Sequence, residues 1–491
     1  MMLRRDRMPR FRHAAFRKAA RAVYENGEFE PAMLRDERVR GLIDETNRVL
    51  SSALAVSHET PPELTAALRN NVFVFSGLKA YHSLAELGLS LTNDDGSTRS
   101  WADFYNDVKA VDGRYNGNYL YAEYNHAVHS AQMAVKWHDW EKDGDEYDLQ
   151  YRTAGDERVR EAHRRLDGVT LPPGDKFWNR YLPPNGWNCR CNVVQVLRGE
   201  YPRSDSDAVT AIGDEYTRDL KAQMFRFNAG KTLTIYPEKH PYYKAPKQVK
   251  EVIREMSEEL RTPQQAVEFI NASEGRRAWF ERGFESLIST TKRGVNGYTD
   301  MKGLIAMTKE RLENVLSGLT KLRQGKEISF DEADALATFW HEITHNRSKP
   351  GYAHMTKLQT QYMELANEFV ARKTLPEFYE GVGAKMQHPG FMDDRQSTGY
   401  NSMVRNYCNL ITKTKAEPAA VLERVKKHLF EEPYDNQAEG LVKALQEHGA
   451  QKPDGSKMKL SEIKKAVKLC VEYDYSEKLF DKNLQTLLVT E

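Results

Sequence analysis

His341-Glu342-Ile343-Thr344-His345 is a chemical arrangement that spacing alone makes legible. On a helix, two histidines four residues apart share a face and can hold one metal ion, while the intervening Glu342 reaches a water at that ion. Glu364, separated from His345 by eighteen residues, is a candidate third ligand on a following helix. One turn later, Glu368 is placed to accept the outer N–H of a ligating histidine, or to serve as the ligand instead. Two histidines and a carboxylate around Zn2+, with a coordination position left open, suit amide hydrolysis. Glu342 would take the proton of water and return it to the leaving amine. The oxyanion that develops needs a donor, and His388 and Tyr400, in the stretch from Gly381 to Tyr400, are of the correct type. His354, nine residues after His345, is a further residue within reach by chain length. The competing reading is a surface helix on which His341 and Glu342 are ordinary polar residues.

These side chains need two helices to position them. Ser329 followed by Glu332 is a capping box, Asp331 favours the first turn, and Ala333, Leu336, Ala337 and Trp340 form an apolar stripe leading to the histidines. No proline interrupts before Pro350. A second helix is expected from about Thr356 to Lys373, with Leu358, Tyr362, Leu365, Phe369 and Val370 as its packing surface and Pro376 ending it.

The spacing from Ser329 to Lys373 resembles the gluzincin metallopeptidases, whose pattern is H-E-x-x-H, about eighteen residues, then E-x-x-x-D. Here Glu368 stands where Asp is usual. Ala366-Asn367-Glu368-Phe369 followed by Leu375-Pro376 also resembles the second helix of the ImmA/IrrE-type peptidases, and this leaves open which glutamate binds metal. A metzincin would need glycine at 348 and histidine at 351, where the chain has Ser348 and Gly351.

A second constellation runs from Tyr151 to Val196. Thr153, Asp156, Arg158, His163, Leu166 and Gly168 are followed by Pro183-Pro184 and Cys189-Arg190-Cys191. Two cysteines one residue apart make a poor disulfide, whereas two thiolates and a histidine suit zinc. His163, Cys189 and Cys191, with Asp156 as a fourth ligand, are therefore a possible second metal site. The plainer alternative is small buried thiols and a locally bonded histidine. Cys408 and Cys470, each alone on a helix, read as packing residues.

The order and spacing of this segment resemble the phage head morphogenesis family, the Mu F-like minor head proteins. The resemblance implies an assembly role near the portal, with portal and capsid proteins as partners. It also implies location in the virion, and in the host cytoplasm during assembly. Such modules resemble carriers of varied C-terminal domains, so a peptidase cargo acting on a peptide or protein substrate is consistent with it. The alternative is a purely structural head protein whose H-E-x-x-H helix is inactive or coincidental.

The rest of the chain organises around these segments. Helices are expected over Arg38–Leu54 and Ala66–Leu87, divided by Pro61-Pro62, and over Tyr119–Trp140. Leu91–Asn118, rich in Asn, Asp and Gly, reads as a loop with a short helix near Trp101. Thr232–Tyr236 reads as a short strand, and the prolines from 237 to 246 mark an interdomain crossing. Helices follow over Gln248–Leu260, Thr262–Ile270 and Met307–Leu322, the last closed by Gly325, with a turn at Arg293–Gly297. After about residue 418 comes a Lys- and Glu-rich helical tail with a turn at Pro453-Asp454-Gly455.

A chain of 491 residues exceeds one ordinary core. The expected fold is mainly α (α+β). It comprises a head-morphogenesis module over 1–235, a zincin-like α+β domain over 248–418 and a helical tail over 419–491. The 72 basic and 71 acidic residues leave a net charge of +1, so the whole chain is no polycation. Mean hydropathy is −0.71 and long apolar runs are missing, which argues against a membrane partner. Four cysteines cannot staple a chain this long. Met1–Val23 carries eight Arg or Lys residues against Asp6 alone, and so reads as a frayed terminus or as an arm for DNA or an acidic partner.

Overall fold

A computed structural model describes residues 8–54, 60–143, 146–281, 283–300, 302–349, 354–396 and 398–489. The start of the basic N-terminal arm, residues 1–7, therefore lies outside the described residues. The structure is mainly helical with two small three-stranded sheets. It divides into two compact units, Met1–Ser257 and Glu258–Glu491.

The first unit begins with α1 (His13–Asn26), α2 (Glu37–Ser51) and α3 (Pro62–Gly88). Pro62 sits in the first turn of α3, where its missing N–H costs nothing. α4 (Trp101–Asp112) runs through a seven-residue π-helical stretch, Gly113–Tyr119, into α5 (Leu120–Asp143). The loop expected up to Asn118 is thus helical from Trp101 onward. Tyr115, buried within this stretch, supplies packing that the Asn- and Gly-rich composition concealed.

A compact β-module follows: β1 (Tyr147–Arg152), α6 (Glu161–Arg164), β2 (Thr170–Leu171), α7 (Trp178–Tyr181) and β3 (Asn192–Leu197). Its sheet is antiparallel in the order β2-β1-β3, with Leu149 opposite Leu171 and Tyr151 opposite Val193. Leu149, Tyr151, Leu166, Phe177, Trp178 and Val193 form its core. Three further helices, α8 (Ser206–Tyr216), α9 (Leu220–Gln223) and α10 (Ala229–Thr232), come next. The strand expected at Thr232–Tyr236 is not formed. Thr232 ends α10, and the Ile235 and Tyr236 amides donate to the Asn71 side chain instead of to a sheet.

α11 (Lys247–Glu258) buries Val249, Ile253 and Met256 in the core of the first unit. The boundary therefore falls at residues 257 and 258, beyond the proline-rich crossing. Those prolines shape a segment held by α3: the Asn71 side chain donates to the Tyr236 carbonyl, and His82 bonds that of Tyr242.

The second unit opens with α12 (Pro263–Asn271), set by a Thr262–Gln265 capping box, and a single turn α13 (Glu274–Arg277). A sheet absent from the sequence reading comes next: β4 (Ser286–Thr290), β5 (Gly297–Thr299) and β6 (Leu304–Thr308), in the order β4-β6-β5. β6 pairs parallel with β4 and antiparallel with β5, so β5 is an edge strand. Met307, expected to open a helix, lies in β6, and α14 (Lys309–Arg323) begins after it.

α15 (Phe330–Arg347) and α16 (Lys357–Lys373) are the two expected helices. α17 (Leu375–Gly381) starts directly after α16, with Pro376 in its first turn. α18 (Asn401–Lys413), α19 (Pro418–Glu431), α20 (Gln437–Glu447), α21 (Leu460–Glu472) and α22 (Glu477–Val489) complete the chain. The last four form no separate tail. Val421, Leu441, Val467 and Leu484 share one core with Leu365 and Phe369 of α16. Cys470 is buried in that core and Cys408 packs against it, as expected of packing residues. No described helix is long and apolar enough to cross a membrane.

Candidate functional site

α15 starts as its sequence dictates. Ser329 Oγ accepts from the Glu332 amide at 3.2 Å, and Glu332 Oε2 accepts from the Ser329 amide at 2.7 Å. The helix is not amphipathic in its setting, because Glu332 to Asn346 are all buried. α16 carries a second capping box, Thr356–Gln359, that the sequence reading passed over. Asn367 Nδ2 on α16 donates to the His341 carbonyl at 3.1 Å, which ties the two helices together at the site.

His341, His345 and Glu364 converge. Their facing atoms form a triangle: His341 Nε2 to His345 Nε2 is 3.0 Å, His345 Nε2 to Glu364 Oε2 is 3.3 Å, and His341 Nε2 to Glu364 Oε2 is 3.5 Å. Donors about 2.0–2.1 Å from a tetrahedral ion stand about 3.3 Å apart, so the triangle has the size that zinc requires. His341 Nδ1 lies 2.5 Å from Glu368 Oε2, so Nδ1 keeps its proton, and Nε2 would present its lone pair to the triangle once an ion displaces the second proton. The donor set therefore fits a zinc ion.

Glu368 is the outer partner of His341 and not a member of the triangle. It is fully buried, and Arg372 Nε donates to its Oε1 at 2.8 Å while Arg395 lies 3.7 Å away. Burial opposes its ionisation, yet Arg395 and His341 hold its carboxyl below the usual range. Glu364 is lowered against burial in the same way, by His345 and His341. Burial alone would depress His341, but bonds to Glu364 and Glu368 raise it to about 10. Burial pushes Glu342 upward.

The triangle opens on a cavity of about 560 Å3, lined also by Glu342, Tyr400, Arg395 and β5. A Cβ added to Gly297 would stand 3.1 Å from both Glu342 Oε1 and the Ala306 carbonyl, so this glycine admits the carboxylate beside β5. The Tyr400 ring stacks on His341 at 5.9 Å, and burial together with Glu364 keeps its hydroxyl protonated.

His388 does not reach the site. Its Nε2 bonds the Ile328 carbonyl at 3.1 Å and its ring packs near Phe330 and Phe391, so it secures the approach to α15. His354 is exposed, and its neighbour Met355 lines the cavity in its place. Tyr434 and Arg395 are residues the sequence reading missed. Tyr434 donates to the His345 carbonyl at 2.5 Å, and Arg395 bonds Thr338 at 2.7 Å and Asp334 at 3.1 Å. Neither lies at a spacing that ties it to the motif.

In the first unit, several residues of the Thr153–Gly168 pattern have structural tasks. Asp167 Oδ1 accepts from the Thr153 amide at 2.7 Å and from its hydroxyl at 3.0 Å. Leu166 is core, and Gly168 turns with φ +77° so that its amide meets the Tyr151 carbonyl at 2.9 Å. Asp156 is not a ligand: it takes both Arg190 Nη atoms at 2.5 Å, and that guanidinium holds its carboxyl at about 2. His163, Cys189 and Cys191 do come together. His163 Nδ1 lies 3.6 Å from Cys189 Sγ and 3.4 Å from Cys191 Sγ. From α5, His129 Nδ1 bonds the Cys189 carbonyl at 2.7 Å.

The first unit is therefore a helical assembly carrying a small antiparallel module whose loops are pinned by one compact motif. Residues 96–194, from just before α4 into β3, match the family described as Phage Mu protein F like protein. Over 44 residues the chain is 48% identical to the Putative capsid assembly protein F of Escherichia phage Mu. That stretch is 9% of this chain and 10% of that protein, so the chain aligns with about a tenth of its curated relative. No solved structure matches the chain. The family match ends at residue 194, short of the second unit.

Proposed function

We propose that this chain is a phage head morphogenesis protein whose second unit is a zinc-dependent peptidase. The assembly role rests on the match over residues 96–194, and it implies association with portal and capsid proteins and location in the virion. The peptidase reading rests on one observation above others. Two buried histidines and a partly buried glutamate form a triangle of zinc dimensions beside Glu342, at the wall of a peptide-sized cavity.

His341, His345 and Glu364 would hold the ion, which supplies Lewis-acid activation of water and of a peptide carbonyl. Glu342, raised by burial, is suited to take the proton of the attacking water and to deliver it to the leaving amine. The Tyr400 hydroxyl, kept protonated at the cavity wall, is a donor for the developing oxyanion. β5 presents an edge along the cavity, to which an extended peptide can add as a further strand. Glu368 fixes the His341 ring.

Glu342→Gln should keep the metal and slow hydrolysis of a denatured, fluorescently labelled casein by roughly 10^2–10^4-fold. Equal cleavage by the zinc-loaded wild type and the variant would leave a structural head protein with a metal-binding helix pair.

A further inference from the structure

We infer that His163, Cys189 and Cys191 bind one zinc ion that staples the β-module of the first unit. This site is independent of the peptidase reading. His163 Nδ1 meets two sulfurs, at 3.4 and 3.6 Å, yet one ring nitrogen offers a single proton or a single lone pair. The other nitrogen, Nε2, lies 3.3 Å from the Asn185 carbonyl, so it carries the proton and Nδ1 keeps its lone pair.

Two thiols and an imidazole lone pair directed at one another are mutually satisfied by a cation. For a tetrahedral zinc with bonds of about 2.3 Å to sulfur and about 2.0–2.1 Å to nitrogen, sulfur and nitrogen stand about 3.6 Å apart. The observed separations have that size. The surroundings also hold the ligands in place. Asn185, which takes the outer N–H of His163, is itself fixed by Tyr151, whose hydroxyl donates to Asn185 Oδ1 at 2.8 Å. Arg190, between the cysteines, is drawn off to Asp156, and His129 holds the Cys189 carbonyl.

A cavity of about 40 Å3 adjoins the three ligands and is lined also by Arg158 and Arg160. It has room for one water as the fourth ligand. The ion would join α6 to the segment entering β3, two parts of the chain that share no backbone pairing.

The test uses the full chain loaded with Co2+ in place of zinc. Sulfur-to-cobalt charge-transfer absorption is expected. It should vanish in Cys189→Ser and in Cys191→Ser, and persist in the His341→Ala/His345→Ala double variant. The second unit's donor set contains no sulfur, so the band reports this site alone. If the serine variants fail to fold, the wild type still decides. Iodoacetamide labelling of Cys189 and Cys191 should be slow in the zinc-loaded protein and at least tenfold faster after chelation. A missing charge-transfer band overturns the inference, as does labelling that is unchanged by chelation or that appears only after reduction of a Cys189–Cys191 disulfide.

Discussion

Glu368 shows how much of the site depends on side chains that would never touch a substrate. It meets His341 Nδ1 and is itself held by Arg372, so the ring orientation is set through two buried bonds in series. Replacing it with alanine frees the ring and removes the carboxylate that Arg372 Nε meets, while Arg372 keeps its bond to Asn401. Zinc affinity, measured by competition with a chromophoric chelator, is expected to fall roughly 10–100-fold. His341, Glu342, His345, Glu364 and Glu368 were legible in sequence because helical spacing fixes which of them share a face. Asp156 and His388 were misread for a matching reason. Their partners, Arg190 and the Ile328 carbonyl, lie 34 and 60 residues away, and no local spacing announces them. The Cys189–Cys191 pair fell between these cases: its proximity was plain, while its meeting with His163 depended on the fold.

At the scale of elements, helices with caps were readable and short strands were not. The Ser329–Glu332 box marked the start of α15, and Thr262–Gln265 marks α12 in the same way. β4, β5 and β6 span three to five residues each, too few for alternation to register, and Met307 was drawn into a helical pattern by its neighbours. Yet β5 is the element that brings backbone to the cavity. Gly297→Val places methyl groups against Glu342 and the Ala306 carbonyl. It should lower kcat at least tenfold in the casein assay while zinc content stays at the wild-type level.

In the first unit, α3 and α5 share a buried ion pair, Lys79 with Glu123. Burial lowers the lysine and raises the glutamate, and each partner opposes that shift in the other. Lys79→Met alone strands a carboxylate and should cost about 3–5 kcal/mol in denaturant unfolding. The Lys79→Met/Glu123→Leu pair should recover most of that loss.

Across the whole molecule, the near-zero net charge is an average over two compact units, only the first of which carries the Mu F-like match. The helical class was legible from periodicity. The division was less so, because the proline-rich segment that looks like a linker is held against α3, and the C-terminal helices share a core with α16. Among the described residues two donor sets come together, one of sulfur and nitrogen in the first unit and one of nitrogen and oxygen in the second.

The most direct measurement is an anomalous difference map at the zinc edge from crystals of the zinc-loaded chain. A peak is expected in the second unit within about 2.0–2.2 Å of His341 Nε2, His345 Nε2 and a Glu364 oxygen, with Glu368 bonded to the His341 ring and not to the ion. A map with no peak at that triangle, or with the ion held by Glu368 while Glu364 turns away, would contradict this ligand set.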